Sequence, residues 1–175
     1  MKPFTAALLL LSLTTHAQTT PASAPFQPLA FLTGTWTASA QGPSGTTAIG
    51  TYTFQFELAG HILARHSASA ACKGPASFDC EHGDLLYIYT ETTPPAAPIQ
   101  ALHAIYFDNE GHVIHYNVST PDPTTAIFLS DAAQPGPQFR LIYQLKASTM
   151  SGNFQMRMPN QPDWTSYLEW SGTKQ

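Results

Sequence analysis

Charge is scarce in this chain. Asp, Glu, Lys and Arg together make up 10% of its 175 residues, against about 25% in an ordinary soluble protein. No run of Lys or Arg occurs, and the formal net charge is −4. A nucleic-acid partner wants a basic stripe, so that class is excluded. Cysteine is limited to Cys72 and Cys80, too few for a thiolate metal site and wrongly spaced for a Cys-x-x-Cys redox pair. The one extended apolar stretch, Phe4 to Leu13, is shorter than the ~20 residues that cross a bilayer, so no transmembrane segment is expected. A Gly-x-Ser-x-Gly elbow, a P-loop and a dinucleotide fingerprint are all missing. Paired acids at a hydrolase spacing are missing too.

What the chain has in quantity is turn chemistry, with 15 Pro and 11 Gly. Its start reads as an address. Met1-Lys2-Pro3, the apolar stretch and Thr15-His16-Ala17 form a basic start, a short greasy core and small residues before a cut. Residues 1–17 are therefore expected to be a signal peptide, and residues 18–25 a disordered lead-in rich in Thr, Ala, Ser and Pro. Residues 26–175 are long enough for one domain with one core. Export to the periplasm or beyond places the chain in an oxidising compartment, where Cys72 and Cys80 are expected to close a short loop as a disulfide.

Beyond the lead-in the chain reads as about ten short strands between turns. Their expected spans are Thr35–Gln41, Ala48–Leu58, His61–Ala70, Asp84–Glu91, Ile99–Asp108, His112–Thr120, Thr124–Ser130, Gln138–Ala147, Ser148–Met158 and Trp164–Gly172. Alternation is clearest in the second, where Tyr52, Phe54, Phe56 and Leu58 share one face. In the third, Ala64 and His66 share one face and Leu63 and Arg65 the other, and the sequence leaves open which is inward. In the fifth, Ile99, Ala101, His103, Ile105 and Phe107 form one face. In the last, Trp164, Ser166, Leu168 and Trp170 do. A meander of this length leaves exposed edges unless it closes or splits. A single antiparallel, mostly up-and-down barrel is expected, with a two-sheet sandwich as the alternative.

The stretch Pro28-Leu29-Ala30-Phe31-Leu32-Thr33-Gly34-Thr35-Trp36 organises the rest. Gly34 permits a sharp bend, and Trp36 just after it offers a large apolar body to fill a barrel end. A short helical turn before Gly34 is expected to plug that end. Leu32-Thr33-Gly34-Thr35-Trp36 resembles the opening of lipocalins and their calycin relatives. It is still more similar to the openings of bacterial lipocalin-like barrels and of nitrobindin-like heme barrels. The resemblance implies a ligand-holding barrel over roughly Phe26–Lys174. In nitrobindin-like barrels a histidine near the C-terminus holds the heme. Here the last histidine is His115, so the heme role transfers to no residue and no cofactor is expected.

The remaining histidines do not suggest a metal. His61 and His66 lie five apart in one strand, and His112 and His115 three apart, so each pair faces opposite ways. A site would need histidines from different strands, such as His66 with His103. Glu57, Asp84, Glu91 and Asp108 fall at strand ends or turns, where solvation accounts for them. Function therefore rests on the barrel interior. Tyr52, Phe54, Phe56 and Tyr87 are the candidate lining, and Arg65, His66 and His103 the candidate polar contacts. Arg65 ranks first because its guanidinium can fork onto a carboxylate. The expected partner is a small apolar or weakly anionic molecule. An enzyme, an isomerase or hydrolase using an interior His or Arg, and a filled barrel acting as an interaction module remain as alternatives.

Overall fold

The computed structural model describes residues 23–76, 78, 80–91, 101–132 and 136–175. The expected signal peptide, most of the lead-in, the proline-rich loop and Ile99 lie outside them. Ten strands are described: β1 Gly34–Gln41, β2 Thr47–Glu57, β3 Ile62–Lys73, β4 Gly83–Thr90, β5 Leu102–Asp108, β6 Val113–Asp122, β7 Thr125–Ser130, β8 Gln138–Lys146, β9 Thr149–Arg157 and β10 Thr165–Lys174. Each pairs antiparallel with its neighbours in sequence, and β1 pairs with β10 as well as β2. The result is a closed up-and-down barrel without a free edge, and the sandwich alternative falls away. No helix among the described residues is long and apolar enough to cross a membrane.

One end of the barrel is plugged. Ala24–Leu32 forms a 3₁₀ helix that starts two residues before the expected domain boundary. Pro25 and Pro28 lack backbone N–H groups, which disfavours an α-helix. With three residues per turn, positions i and i+3 eclipse one another, and Phe26, Leu29 and Leu32 are the buried face. The Trp36 indole donates from Nε1 to the Leu32 carbonyl at 2.8 Å, which satisfies its one polar atom. Its ring stacks on Tyr52 with centroids 6.4 Å apart. Gly34 has φ +111°, and a Cβ there would run into the Lys174 side chain, so the bend before Trp36 needs glycine.

Cys72 and Cys80 form a disulfide. Cys72 lies inside β3, which runs three residues past its expected end, so the bridge ties that strand to the loop leading into β4.

Two expected faces differ from the observed ones. Leu58 does not continue the inner face of β2. It sits in the turn with φ +48° and is 70% exposed. In β5 the shared face of His103, Ile105 and Phe107, whose direction the sequence leaves open, is the outer one, and the buried face is centred on Ala104 with Leu102 and Tyr106 packed beside it. In β10 a bulge between Ser166 and Leu168 breaks the alternation. Ser166 pairs with Gln155 and Leu168 with Phe154, so the extra residue turns Leu168 and Trp170 inward and leaves Trp164 outside. There Trp164 lies 4.3 Å from the Arg140 guanidinium and 4.8 Å from that of Arg157.

Candidate functional site

The inward faces divide the barrel into a filled half and a hollow half. Beside the plug, Tyr52, Phe54, Phe128 and Tyr143 meet ring to ring at centroid distances of 5.4–6.1 Å. Toward the other end the rings part around a cavity of about 380 Å³, a volume within the range of small-molecule sites. Phe139, Leu141, Phe154, Met156, Leu168 and Trp170 from β8, β9 and β10 make its apolar wall, with Ile114 and Tyr116 from β6 opposite. Gly152 shapes this wall. It lies between Tyr143 and Trp170 in register, and the Trp170 ring occupies the space a Cβ would take.

Arg65 stands where the two halves meet. One of its terminal nitrogens donates to the Tyr143 hydroxyl and the other to Asp84 Oδ1. Burial works against the Arg65 charge, but Asp84 and Tyr143 outweigh it and hold the guanidinium more basic than usual. Burial likewise works against Asp84, yet Arg65, His82 and Ser67 hold its carboxyl well below the usual range. The pair is therefore ionised, and its two charges cancel.

A polar chain runs from this pair to the mouth. His82 Nε2 lies 3.6 Å from Asp84 Oδ2 and 3.1 Å from the Tyr106 hydroxyl. Asp84 raises the His82 pKa against the effect of burial. The Tyr106 hydroxyl donates to Asp108 Oδ2 at 3.2 Å. Asp108 Oδ1 accepts the backbone N–H groups of Glu110 and His112 at 3.1 and 2.8 Å. Partial burial opposes the Asp108 charge, but these contacts from His112 and Tyr106 lower its pKa overall. Glu110, His112 and Phe78 complete the rim.

Of the seven residues expected to contact a ligand, Arg65 alone lines this cavity. Tyr52 and Phe54 point inward but belong to the filled half. Phe56 packs edge-on against Phe26 of the plug at 5.9 Å. His66, Tyr87 and His103 are on the outer wall. The His66 side chain is 44% exposed and lies 3.0 Å from Glu57 Oε1, with the Tyr87 ring against it. His103 packs instead on Tyr89. The side chains of Asp84 and Asp108 are only 12% and 4% exposed, which corrects their expected role as solvated strand ends. Asp84 faces Asp108 in the β4–β5 register, and Leu86 faces Tyr106. The signal was present in the sequence: Tyr106 and Asp108 are two apart in one strand, so both turn inward together.

No family model matches the sequence, and no curated protein matches it. Solved structures with a similar course include EF1p2_mFAP2b bound to DFHBI, with 10% identity, a TM-score of 0.39, and coverage of 87% of this chain and all of that one. A redesigned β-barrel, mFAP0, bound to DFHBI gives 13% identity and a TM-score of 0.39, covering 82% of this chain and 99% of that one. At these scores the likeness carries no functional weight, and the barrel assignment stands on the strand pairing itself.

Proposed function

We infer that this protein is an exported, lipocalin-like barrel that holds a small apolar molecule in its open half. The observation that carries this reading is the cavity of about 380 Å³, walled by aromatic and aliphatic side chains and open at the end opposite the Trp36 plug. A filled barrel would have no such space. The Cys72–Cys80 disulfide supports export to an oxidising compartment.

The ligand is neutral. Arg65 is the guanidinium in the cavity, and Asp84 already neutralises it. A weakly anionic head would have to break that pair or approach Asp108 and Glu110 at the rim. A neutral molecule burying most of its surface against this wall should bind in the micromolar range, on the order of −8 kcal/mol.

Titration with an environment-sensitive apolar dye tests this reading. Saturable binding at one site per chain is expected, with loss of binding in Ile114→Trp, which fills the cavity from β6. Absence of saturable binding by the wild-type chain, or unchanged binding by Ile114→Trp, would count against it.

A further inference from the structure

The open end gathers a second set of groups that an apolar ligand leaves unused. His82, from the loop before β4, and Asp108 and Glu110, from the β5–β6 hairpin, each bring a ligand atom to within 4.8 Å of the others. His112 of the same hairpin adds its Nδ1, 2.9 Å from Asp108 Oδ2 and 3.4 Å from Glu110 Oε2. Four ligands at the ~2.0–2.2 Å bond lengths of tetrahedral zinc lie about 3.4 Å from one another. His112 Nδ1 lies at about that spacing from Asp108 and Glu110, while His82, Asp108 and Glu110 fall within 4.8 Å of one another, so side-chain rotations that draw His82 and His112 toward one point would close the set.

Two further features favour a cation. The Asp108 carboxylate is fixed by the two backbone N–H groups on Oδ1, and Oδ2 meets the Tyr106 hydroxyl and the His112 imidazole. Such fixing of a ligand by an outer partner is what metal sites require. Among the described residues no Lys or Arg forms an ion pair with Asp108 or Glu110, since Arg65 is committed to Asp84. Among the described residues, histidine is thus the ion-pair partner of both carboxylates.

We propose that His82, Asp108, Glu110 and His112 bind one divalent transition-metal ion, zinc foremost, at the mouth of the barrel. Two imidazole nitrogens and two carboxylate oxygens are a donor set that suits Zn²⁺ and disfavours Mg²⁺ or Ca²⁺, which take oxygen ligands. The imidazoles bind as neutral rings, each through one ring nitrogen. The site does not depend on an apolar ligand being present.

The test is calorimetric titration of the tag-free full chain, stripped with a chelator and dialysed, with zinc chloride. Cobalt(II) serves as a coloured probe of tetrahedral ligation. One equivalent of zinc is expected, with a strong visible cobalt band. His82→Ala and Glu110→Gln should each weaken zinc by at least about tenfold, the lower bound seen even for loss of an outer partner. Neither side chain belongs to the apolar core, and circular dichroism would verify that both variants keep the fold. No saturable uptake, or equal affinity in wild type and both variants, would overturn the proposal. Apolar-dye binding measured on the same samples separates this site from the cavity, because zinc binding can fail while dye binding persists.

Discussion

Arg65 and Asp84 form an ion pair inside the barrel, between adjacent strands β3 and β4, with side chains 6% and 12% exposed. In register Arg65 faces Leu86 and Asp84 faces Ser67, so the two meet on a diagonal, within reach of long side chains. A buried guanidinium is tolerated here because a carboxylate and the Tyr143 hydroxyl both receive it.

Removing one partner should therefore be severe. Asp84→Asn leaves the Arg65 charge buried without a counter-charge, and a loss of about 3–5 kcal/mol is expected in urea unfolding. The double variant Arg65→Met with Asp84→Leu should recover most of that loss, because it removes both charges together. A single-variant loss below about 1 kcal/mol would show that water reaches the pair freely.

Trp36 should behave as the keystone of the closed end. Its ring is buried, it stacks on Tyr52, and its indole nitrogen holds the plug helix through Leu32. Trp36→Ala is expected to cost about 3–5 kcal/mol by urea unfolding. A cost below about 1 kcal/mol would mean that the plug packs without it.

The barrel was legible in the sequence because period-two alternation and turn residues are local signals. The plug was legible from Gly34 and Trp36 for the same reason. The site was not. Arg65 inward is stable because Asp84 meets it on a diagonal and Tyr143 receives its other nitrogen, and those pairings depend on a register between strands that no local pattern encodes. In β5 alternation groups His103, Ile105 and Phe107 on one face but does not say that this face is the outer one. Tyr106 and Asp108 read as surface in the sequence, because their partners His82 and His112 come from outside the strand. In β10 one bulged residue inverted the face, an insertion that alternation cannot reveal.

The disulfide should add modest stability. Cys72 and Cys80 are eight residues apart in sequence, and so short a loop gives on the order of 2–3 kcal/mol in the chain-entropy model. The native protein should show no free thiols by mass after alkylation without reductant. Reduction should lower the urea midpoint and loosen the loop that carries Phe78 to the cavity rim.

Alkali should unfold the protein through its interior tyrosines. Burial raises the pKa of Tyr52, Tyr116 and Tyr143 above the ordinary phenol value. A raised folded value means that the stabilising contribution is full below the unfolded pKa of about 10 and is lost as pH rises above it toward the folded values. Phenolate absorbance should therefore lag for these three rings and then rise together with loss of the native circular dichroism. A smooth titration of every tyrosine near pH ~10, with the fold intact, would show that the interior is wet.

Gly152 links the wall of the cavity to its contents. In β9 it lies beside both Tyr143 and Trp170, and its missing side chain is the space in which the Trp170 ring lies. The backbone there is ordinary extended strand, so Gly152→Ala introduces no dihedral strain and acts through the ring alone. Tyr143 packs against Trp170 at 5.5 Å on the filled side, which leaves the cavity as the free direction for a displaced indole. The added methyl should therefore push Trp170 into the cavity and reduce its volume, at a stability cost of about 1–3 kcal/mol, as for other overpacked sites. Apolar-dye affinity should fall along with it, and Trp170 fluorescence, read in a Trp36→Phe, Trp164→Phe background, should report a changed environment before any dye is added. Unchanged dye affinity in a folded Gly152→Ala protein would place the bound molecule away from Trp170, toward the rim near Phe78, Glu110 and His112.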